Sequence, residues 1–288
     1  MPIDVMMPFY GDVAQFREAV TSVLDQSDPD LRLVVVDDCY PDPTPRQWLA
    51  SLNDARVRYV RNHTNLGVNG NFRRCVDLVT ADWFVVMGCD DVMHADYLAT
   101  VRTLAGHHPD ASVIAPGVDV IDENGRAVRP LGDRMKNVLA PSRATVLSGE
   151  RLATSLYHGN WTYFPSLLWR TAAVGEVGFR PGLEIVLDLA LLVDLAAADG
   201  SLVYDPEVVF SYRRHSASVS SVQAVDGRRF DEENRFFAEE AQRCAERGWP
   251  KAARAARLHA TSRMNHLQAR VGAQVGKVST GLTRRQGH

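Results

Sequence analysis

The sequence predicts an α/β protein: a mostly parallel sheet flanked by helices, with a helical extension at its C-terminal end. Two observations carry that reading. Short uninterrupted apolar runs at residues 3–7, 31–36, 57–60 and 84–87 have the character of strands buried on both faces. Between them lie stretches with apolar side chains three and four apart, as on an amphipathic helix. Strand and helix in alternation build a parallel sheet through right-handed crossovers.

Taken in order, residues 3–7 form a strand that gives way to a loop at Pro8. Asp12 caps a helix through about Gln26, with Phe16, Val20, Val23 and Leu24 on one face. The strand at 31–36 ends in two acids, Asp37 and Asp38. A proline-rich loop at 40–45 leads to a short helix at 48–52 and a strand at 57–60. Residues 65–71, Asn-Leu-Gly-Val-Asn-Gly-Asn, read as a polar glycine-rich turn before a helix from about Phe72 to Val79. The stretch 84–92, Phe-Val-Val-Met-Gly-Cys-Asp-Asp-Val, is a core strand running into a second acid pair, Asp90 and Asp91.

A helix at 97–107, strands at 112–115 and 118–121, and a tight turn at 122–125 follow. Residues 129–143 read as an irregular loop able to move over a site. Next come a helix at 148–156 capped by Ser148, an aromatic loop at 159–165 and a strand at 166–169. A nearly all-apolar helix starts at Asp188 and runs through Ala198. Strands at 202–204 and 208–212 end in the cluster Arg213-Arg214-His215. Two amphipathic helices, 228–247 and about 250–275, could pack on the main domain, pair two chains as a homodimer or present an acceptor.

With 288 residues, 45% of them hydrophobic, the chain can bury one large core and a small appendage. A net charge of -3 argues against a nucleic-acid partner. Cys39, Cys75, Cys89 and Cys244 form no CxxC pair, as expected for buried thiols in a reducing compartment. The first residues show neither the basic region nor the apolar run of a signal peptide, and no stretch reaches the ~18 apolar residues of a membrane span. The expectation is a soluble, cytoplasmic protein.

Two acid pairs at the carboxyl ends of two parallel core strands share one rim of the sheet, where ligands of open α/β sheets bind. Adjacent carboxylates repel unless something positive stands opposite, and a divalent cation carrying phosphates suits hard oxygen ligands. Asp90 and Asp91 could equally cap a solvated turn. A nucleotide fits the pair of sites: one acid accepts from base or ribose, the other pair holds the metal. Neither a P-loop nor a GxGxxG follows the first strand. Asp188 at a helix start is either a cap or a carboxylate kept ionised to take a proton. The rings of Trp161 and Tyr163 pack on a sugar or in the core.

These pieces together resemble the family 2 glycosyltransferases. The matching segments are Met6-Met7-Pro8-Phe9-Tyr10, Ser22 to Ser27, Val34-Val35-Val36-Asp37-Asp38, the run from Asn65 to Cys75, Cys89-Asp90-Asp91 and Tyr212-Arg213-Arg214-His215. The resemblance implies the GT-A fold and an inverting, metal-dependent transfer of one sugar from a nucleoside-diphosphate donor to a hydroxyl. It implies a UDP-sugar first, with GDP or dTDP as alternatives. Pro8, Phe9, Tyr10, Asp38, Asn71 and Asp90 would bind the donor. Asp91 and His215 would hold Mn2+ or Mg2+, and Asp188 would be the general base. Cys89 stands where the family's DXD motif has its first acid. Trp161, Tyr163 and Glu184 would face the acceptor, a glycan precursor or natural product. The QxxRW signature of processive membrane members is absent.

The implied domains are a transferase domain at 1–222, a helical extension at 223–276 and a disordered tail at 277–288. The first has a nucleotide-binding half to about residue 115 and an acceptor-side half from about 116. The competing readings are a sugar-nucleotide pyrophosphorylase-like enzyme and a non-catalytic nucleotide-sugar-binding module. The first lacks its basic phosphate loop after the opening strand. The acids Asp38, Asp91 and Asp188 argue against the second.

Overall fold

The computed structural model describes residues 2–214 and 228–258. Four parallel strands, β1 (Ile3–Phe9), β2 (Leu31–Asp37), β3 (Val57–Arg61) and β4 (Trp83–Val86), lie in the order β3-β2-β1-β4. The sheet continues through β8 (Leu168–Arg170), antiparallel to β4, then β6 (Val113–Ile121) and the long β9 (Ser201–Arg213), which runs parallel to β6. β5 (Val92–Met93) and β7 (Thr145–Ser148) both pair antiparallel with β9. The four parallel strands all lie before residue 115, where the first half of the expected transferase domain ends.

The continuous apolar runs are explained by the two layers of core. Met6, Val34, Val36, Phe84 and Val86 face one side of the sheet, and Val5, Met7, Leu33, Val35 and Val85 face the other. On the second side pack α1 (Val13–Leu24), through Phe16, Val20 and Val23, and α4 (Tyr97–His107), through Tyr97, Leu98 and Val101. Asp12 caps α1 as its residue type predicts, accepting from the N–H groups of Ala14 at 2.8 Å and Gln15 at 2.9 Å. On the first side lie α6 (Gly149–His158) and α8 (Leu187–Ala197), whose eight buried residues account for its lack of a polar face.

Several boundaries differ from the sequence expectation. β1 does not stop at Pro8 but continues to Phe9. Met6 bonds towards β4 and Phe9 towards β2, so Pro8 turns its missing N–H to the β4 side, where the β1–β4 pairing has already ended at Met6–Val86. α2 (Thr44–Ser51) begins inside the proline-rich segment, with Pro45 in its first turn. α3 (Gly67–Asp77) begins within the glycine-rich segment, which is helix rather than turn. Tertiary bonds from Asn71 override the poor local propensity there. The segment 129–143 is not irregular: α5 (Leu131–Leu139) fills its middle. Ser148 precedes α6, but its side chain accepts no capping bond, being the last residue of β7.

The two strands expected at 112–115 and 118–121 are one strand, β6, with an irregular register around Gly117. Those at 202–204 and 208–212 are likewise one, β9. At the irregularity the β9 backbone approaches so closely that a Cβ on Gly117 would collide with the Pro206 carbonyl oxygen and lie 2.8 Å from that of Glu207. Gly117→Ala is therefore expected to destabilise the fold by roughly 1–3 kcal/mol, the range of overpacking. A urea titration with an unchanged midpoint would contradict this.

The extension is not a separate body. α7 (Thr171–Val177) leads towards α8, and α9 (Arg228–Glu246) and α10 (Pro250–Leu258) pack on α6 and α8. Phe236, Phe237, Ala241, Cys244, Ala252 and Ala256 join the same core as Leu156 and Leu192. Arg180 ties the two parts, reaching Asp194 on α8 at 2.6 Å and Glu240 on α9 at 2.8 Å. Tyr157 on α6 donates to Glu240 at 2.6 Å. The apolar faces of α9 and α10 are thus buried within one chain, and residues 259–275 of the second expected helix lie outside the described residues.

Candidate active site

β2 delivers Asp37 and Asp38 to the rim, and the two do different work. Asp37 is spent on the scaffold: it accepts from the Tyr40 N–H at 2.7 Å, pairs with Arg61 at 3.2 Å and takes the Tyr59 hydroxyl. Asp38 is 2% exposed and accepts from Asn62 Nδ2 at 2.9 Å and the Leu66 N–H at 2.8 Å, both on Oδ1. Asn62 also donates to Asn71 Oδ1 at 2.9 Å, and Asn71 Nδ2 donates to the Val36 carbonyl at 2.9 Å. Asn71 is therefore a buried strut that braces Asp38, not a side chain turned to a donor. Phe9 is fully buried against Phe16 and Tyr40, with ring centroids 4.1 and 4.9 Å away. Of the segment Pro8-Phe9-Tyr10, Pro8 is half-buried, and Tyr10, 56% exposed and edge-on to Tyr40, is the ring open at the rim.

Beyond β4 the chain turns at Gly88, with Asp91 N–H donating to the Gly88 carbonyl at 3.3 Å. A Cβ on Gly88 would lie 2.5 Å from Asp91 Oδ2 and 2.8 Å from Asp90 Oδ1. The two carboxylates thus converge on one small space that only glycine leaves open. Asp91 is 1% exposed and accepts from the Arg213 N–H at 2.8 Å. Burial, and then the neighbouring Asp90, push its carboxyl well above the ordinary range. The Arg213 side chain is buried too, donating to the Asp90 carbonyl at 2.6 Å and pairing with Glu18 at 2.6 Å. β9 therefore holds the acid pair by main chain and side chain together. The Cys89 thiol beside the pair is pushed up to about 12 by burial.

Two converging hard oxygens, Asp90 Oδ1 and Asp91 Oδ2, fit a divalent metal that completes its shell with water and phosphate. Among the described residues no three His, Cys, Asp or Glu side chains gather. His215 lies outside the described residues, so its expected part in the site rests on the sequence alone.

The second acid site is built where α8 begins. Asp188 stands in its first turn, and Asn160 Nδ2 donates to Asp188 Oδ2 at 2.8 Å. Thr162 donates its N–H and hydroxyl to Asn160 Oδ1 at 3.2 and 2.7 Å, which turns the amide nitrogen towards Asp188. Burial raises the Asp188 carboxyl; the Leu189 amide, Lys136 and Asn160 pull the other way. Lys136 on α5 donates to the Thr162 carbonyl at 2.6 Å and sits 4.1 Å over the Tyr163 ring. Burial lowers its ammonium to about 8, opposed first by Asp188. Asp133, one turn earlier, accepts from Tyr163 at 2.9 Å and binds Arg214 through both oxygens at 2.7 and 2.8 Å. The Tyr212 ring lies tilted with its centroid 5.2 Å from that of Tyr163, and its phenol, pushed up to about 12 by burial, feels Asp91 next. A Tyr163–Tyr212 bridge thus joins the two acid sites.

Lys136 and Asp133 were hidden in the segment read as loop. The signal was present: Leu131, Met135, Val138 and Leu139 have helical spacing. The acceptor-side residues fare differently. Trp161 is 3% exposed, donates to Ser155 at 3.0 Å and meets Tyr204 edge-on, so it packs in the core. Tyr163 is 7% exposed and carries Lys136 on its face, leaving no open ring for a sugar. Both line a cavity of about 220 Å3 between α5 and the irregular part of β6, with Tyr204 and Val208. Glu184 is exposed on the loop before α8.

Residues 4–171, more than half of the chain, match the model of glycosyl transferase family 2. The chain belongs to that family. Among relatives, the succinoglycan biosynthesis protein ExoO of Rhizobium meliloti is 25% identical over 222 residues, 75% of this chain and 62% of ExoO. The putative glycosyltransferase EpsE of Bacillus subtilis is 27% identical over 126 residues, 43% of this chain and 45% of EpsE. The chain thus spans less than two thirds of the length of either relative. Among solved structures, S. aureus TarS 1-349 in complex with UDP-GlcNAc superposes with a TM-score of 0.65 at 17% identity, over 83% of this chain and 66% of that one. That likeness shows the GT-A fold expected from the motifs. No helix among the described residues is long and apolar enough to cross a membrane.

Proposed function

We propose that this member of the family moves one sugar from a nucleoside-diphosphate donor to a hydroxyl of a cytoplasmic acceptor, with inversion at the sugar carbon. The observation that carries the reading is the pairing of two acid sites: Asp90 and Asp91 converging over Gly88, and Asp188 raised in an apolar helix start beside Lys136. A UDP-sugar is the first choice of donor, because TarS binds UDP-GlcNAc and UDP; GDP- and dTDP-sugars are the alternatives. ExoO's role in succinoglycan biosynthesis supports a glycan precursor as acceptor, with a natural product second.

In this reading Asp38, braced by Asn62, accepts from base or ribose, and Tyr10 flanks the base. Asp90 and Asp91 would hold Mn2+ or Mg2+, which when bound would supply positive charge against that growing on the departing diphosphate. Asp188 takes the proton of the acceptor hydroxyl as that oxygen bonds to the anomeric carbon and the carbon–diphosphate bond breaks. The sugar ends on the acceptor, and the nucleoside diphosphate leaves with the bonding pair. Asn160 fixes the carboxylate, and Lys136 favours its ionised form. Release of nucleoside diphosphate from a panel of UDP-, GDP- and dTDP-sugars tests the proposal. Release from none, with nucleotide still bound, would leave the binding module in its place.

The pH dependence has a definite sign. A base works ionised, and a raised carboxyl protonates earlier as pH falls, so turnover is expected to decline on the acid side above the ordinary carboxylate range. Lys136 opposes that rise, so Lys136→Met is expected to move the acid limb to higher pH still. A limb that stays in place or moves down would contradict the assignment.

A further inference from the structure

Residues 184–186 lead directly into α8 and its first-turn Asp188, and this short connection is gripped from two sides. One carboxylate oxygen, Glu232 Oε1 on α9, accepts from the main-chain N–H groups of Glu184 at 3.0 Å, Ile185 at 2.7 Å and Val186 at 3.1 Å. From the opposite side Asn69 Nδ2 on α3 donates to the Glu184 carbonyl at 3.0 Å. Successive amides converging on one anionic oxygen form a charge-assisted nest of the kind that fixes backbone conformation. They lie just ahead of the helix start, where amides lack partners within the helix. The support behind Glu232 is rigid, because Phe236, Phe237 and Ala241 of the same helix are buried in the core.

We propose that Glu232 and Asn69 are positioning residues for Asp188, so that the C-terminal extension, which lies outside the family match at 4–171, is part of the working site. The inference rests on the proposed role of Asp188 as base. A general base must sit within hydrogen-bond reach of the proton it takes, and misplacement by about 1 Å can cost about a hundredfold in rate. Glu232 acts on the connection that sets where α8 begins. Asn69 ties that same connection to α3, whose Asn71 braces Asp38, so the donor side and the base side share one loop.

The test uses the full chain with Glu232→Ala, Glu232→Gln and Asn69→Ala, read by donor turnover and by amide hydrogen exchange at residues 184–189. Glu239→Gln, on an exposed position of α9 that pairs with Arg235 at 4.0 Å, is the control. Glu232→Ala is expected to lower kcat by about tenfold to a hundredfold with donor KM little changed, and to speed exchange at 184–189. Glu232→Gln keeps an oxygen acceptor and is expected to recover most of the loss. Asn69→Ala is expected to act in the same direction, and the control to match the wild type. Should Glu232→Ala not fold, Asn69→Ala and Glu232→Gln carry the comparison. Unchanged exchange at 184–189, a rise in KM at constant kcat, or no recovery with glutamine would overturn the proposal. A wild type without turnover on any donor would sink the proposed function instead, and exchange would still decide the clamp.

Discussion

Asp188→Asn is expected to lower turnover by about a hundredfold or more, the scale of general base catalysis, while leaving nucleotide binding nearly unchanged. The substitution keeps the shape of the side chain and an oxygen for Asn160 Nδ2, which now donates to Asp188 Oδ2 at 2.8 Å. What it removes is the capacity to take a proton. Stability is expected to hold or rise, because burial raises the carboxyl and its ionised form costs folding energy at neutral pH. The sign follows from linkage: a carboxyl raised in the folded state favours folding when protonated, and that advantage is lost as pH rises through the folded pKa. Parallel measurements of UDP release and UDP affinity check the split. Turnover equal to wild type would remove Asp188 from the mechanism.

Asp91→Asn is expected to abolish metal-stimulated nucleotide binding. The asparagine retains an oxygen for the Arg213 N–H, so β9 stays docked against the acid turn. It loses the charge that a cation needs, and it relieves the repulsion from Asp90 across Gly88. The melting temperature without ligand is therefore expected to hold or rise. The added stabilisation from nucleotide with Mn2+, about 2.7 kcal/mol at a hundredfold excess over Kd, is expected to disappear. If chelator has no effect on the wild type either, the metal leaves the account.

Much of this architecture was legible because local and tertiary signals agreed. The runs at β1, β2 and β4 are apolar at every position because alternate residues feed two different core layers. Asp38, Asp90 and Asp91 stood out as acids at strand ends and Asp188 as an acid at the start of an apolar helix; the structure braces Asp38 through Asn62 and brings Asp90 and Asp91 together over Gly88. What could not be read was set at a distance. Asn71 belongs to a donor-side segment by sequence, yet a hydrogen bond to Val36 turns it into the scaffold. Phe9 follows the strand alternation into the core, while its neighbour Tyr10 stays out. Trp161 and Tyr163 sit in a loop that folds inward, because α5 covers it from above with Lys136. Glu232 carries no local mark at all; its three amide partners are almost fifty residues away in the chain.

The central claim, a nucleotide held with a metal at the rim shared by β2 and β4, is tested most directly by thermal shift against UDP, GDP, dTDP and CMP, each with Mn2+ and with chelator. The expected result is a rise in melting temperature with one diphosphate, UDP first, that requires Mn2+ and vanishes in Asp91→Asn. No rise with any of the four, in either condition, would contradict it.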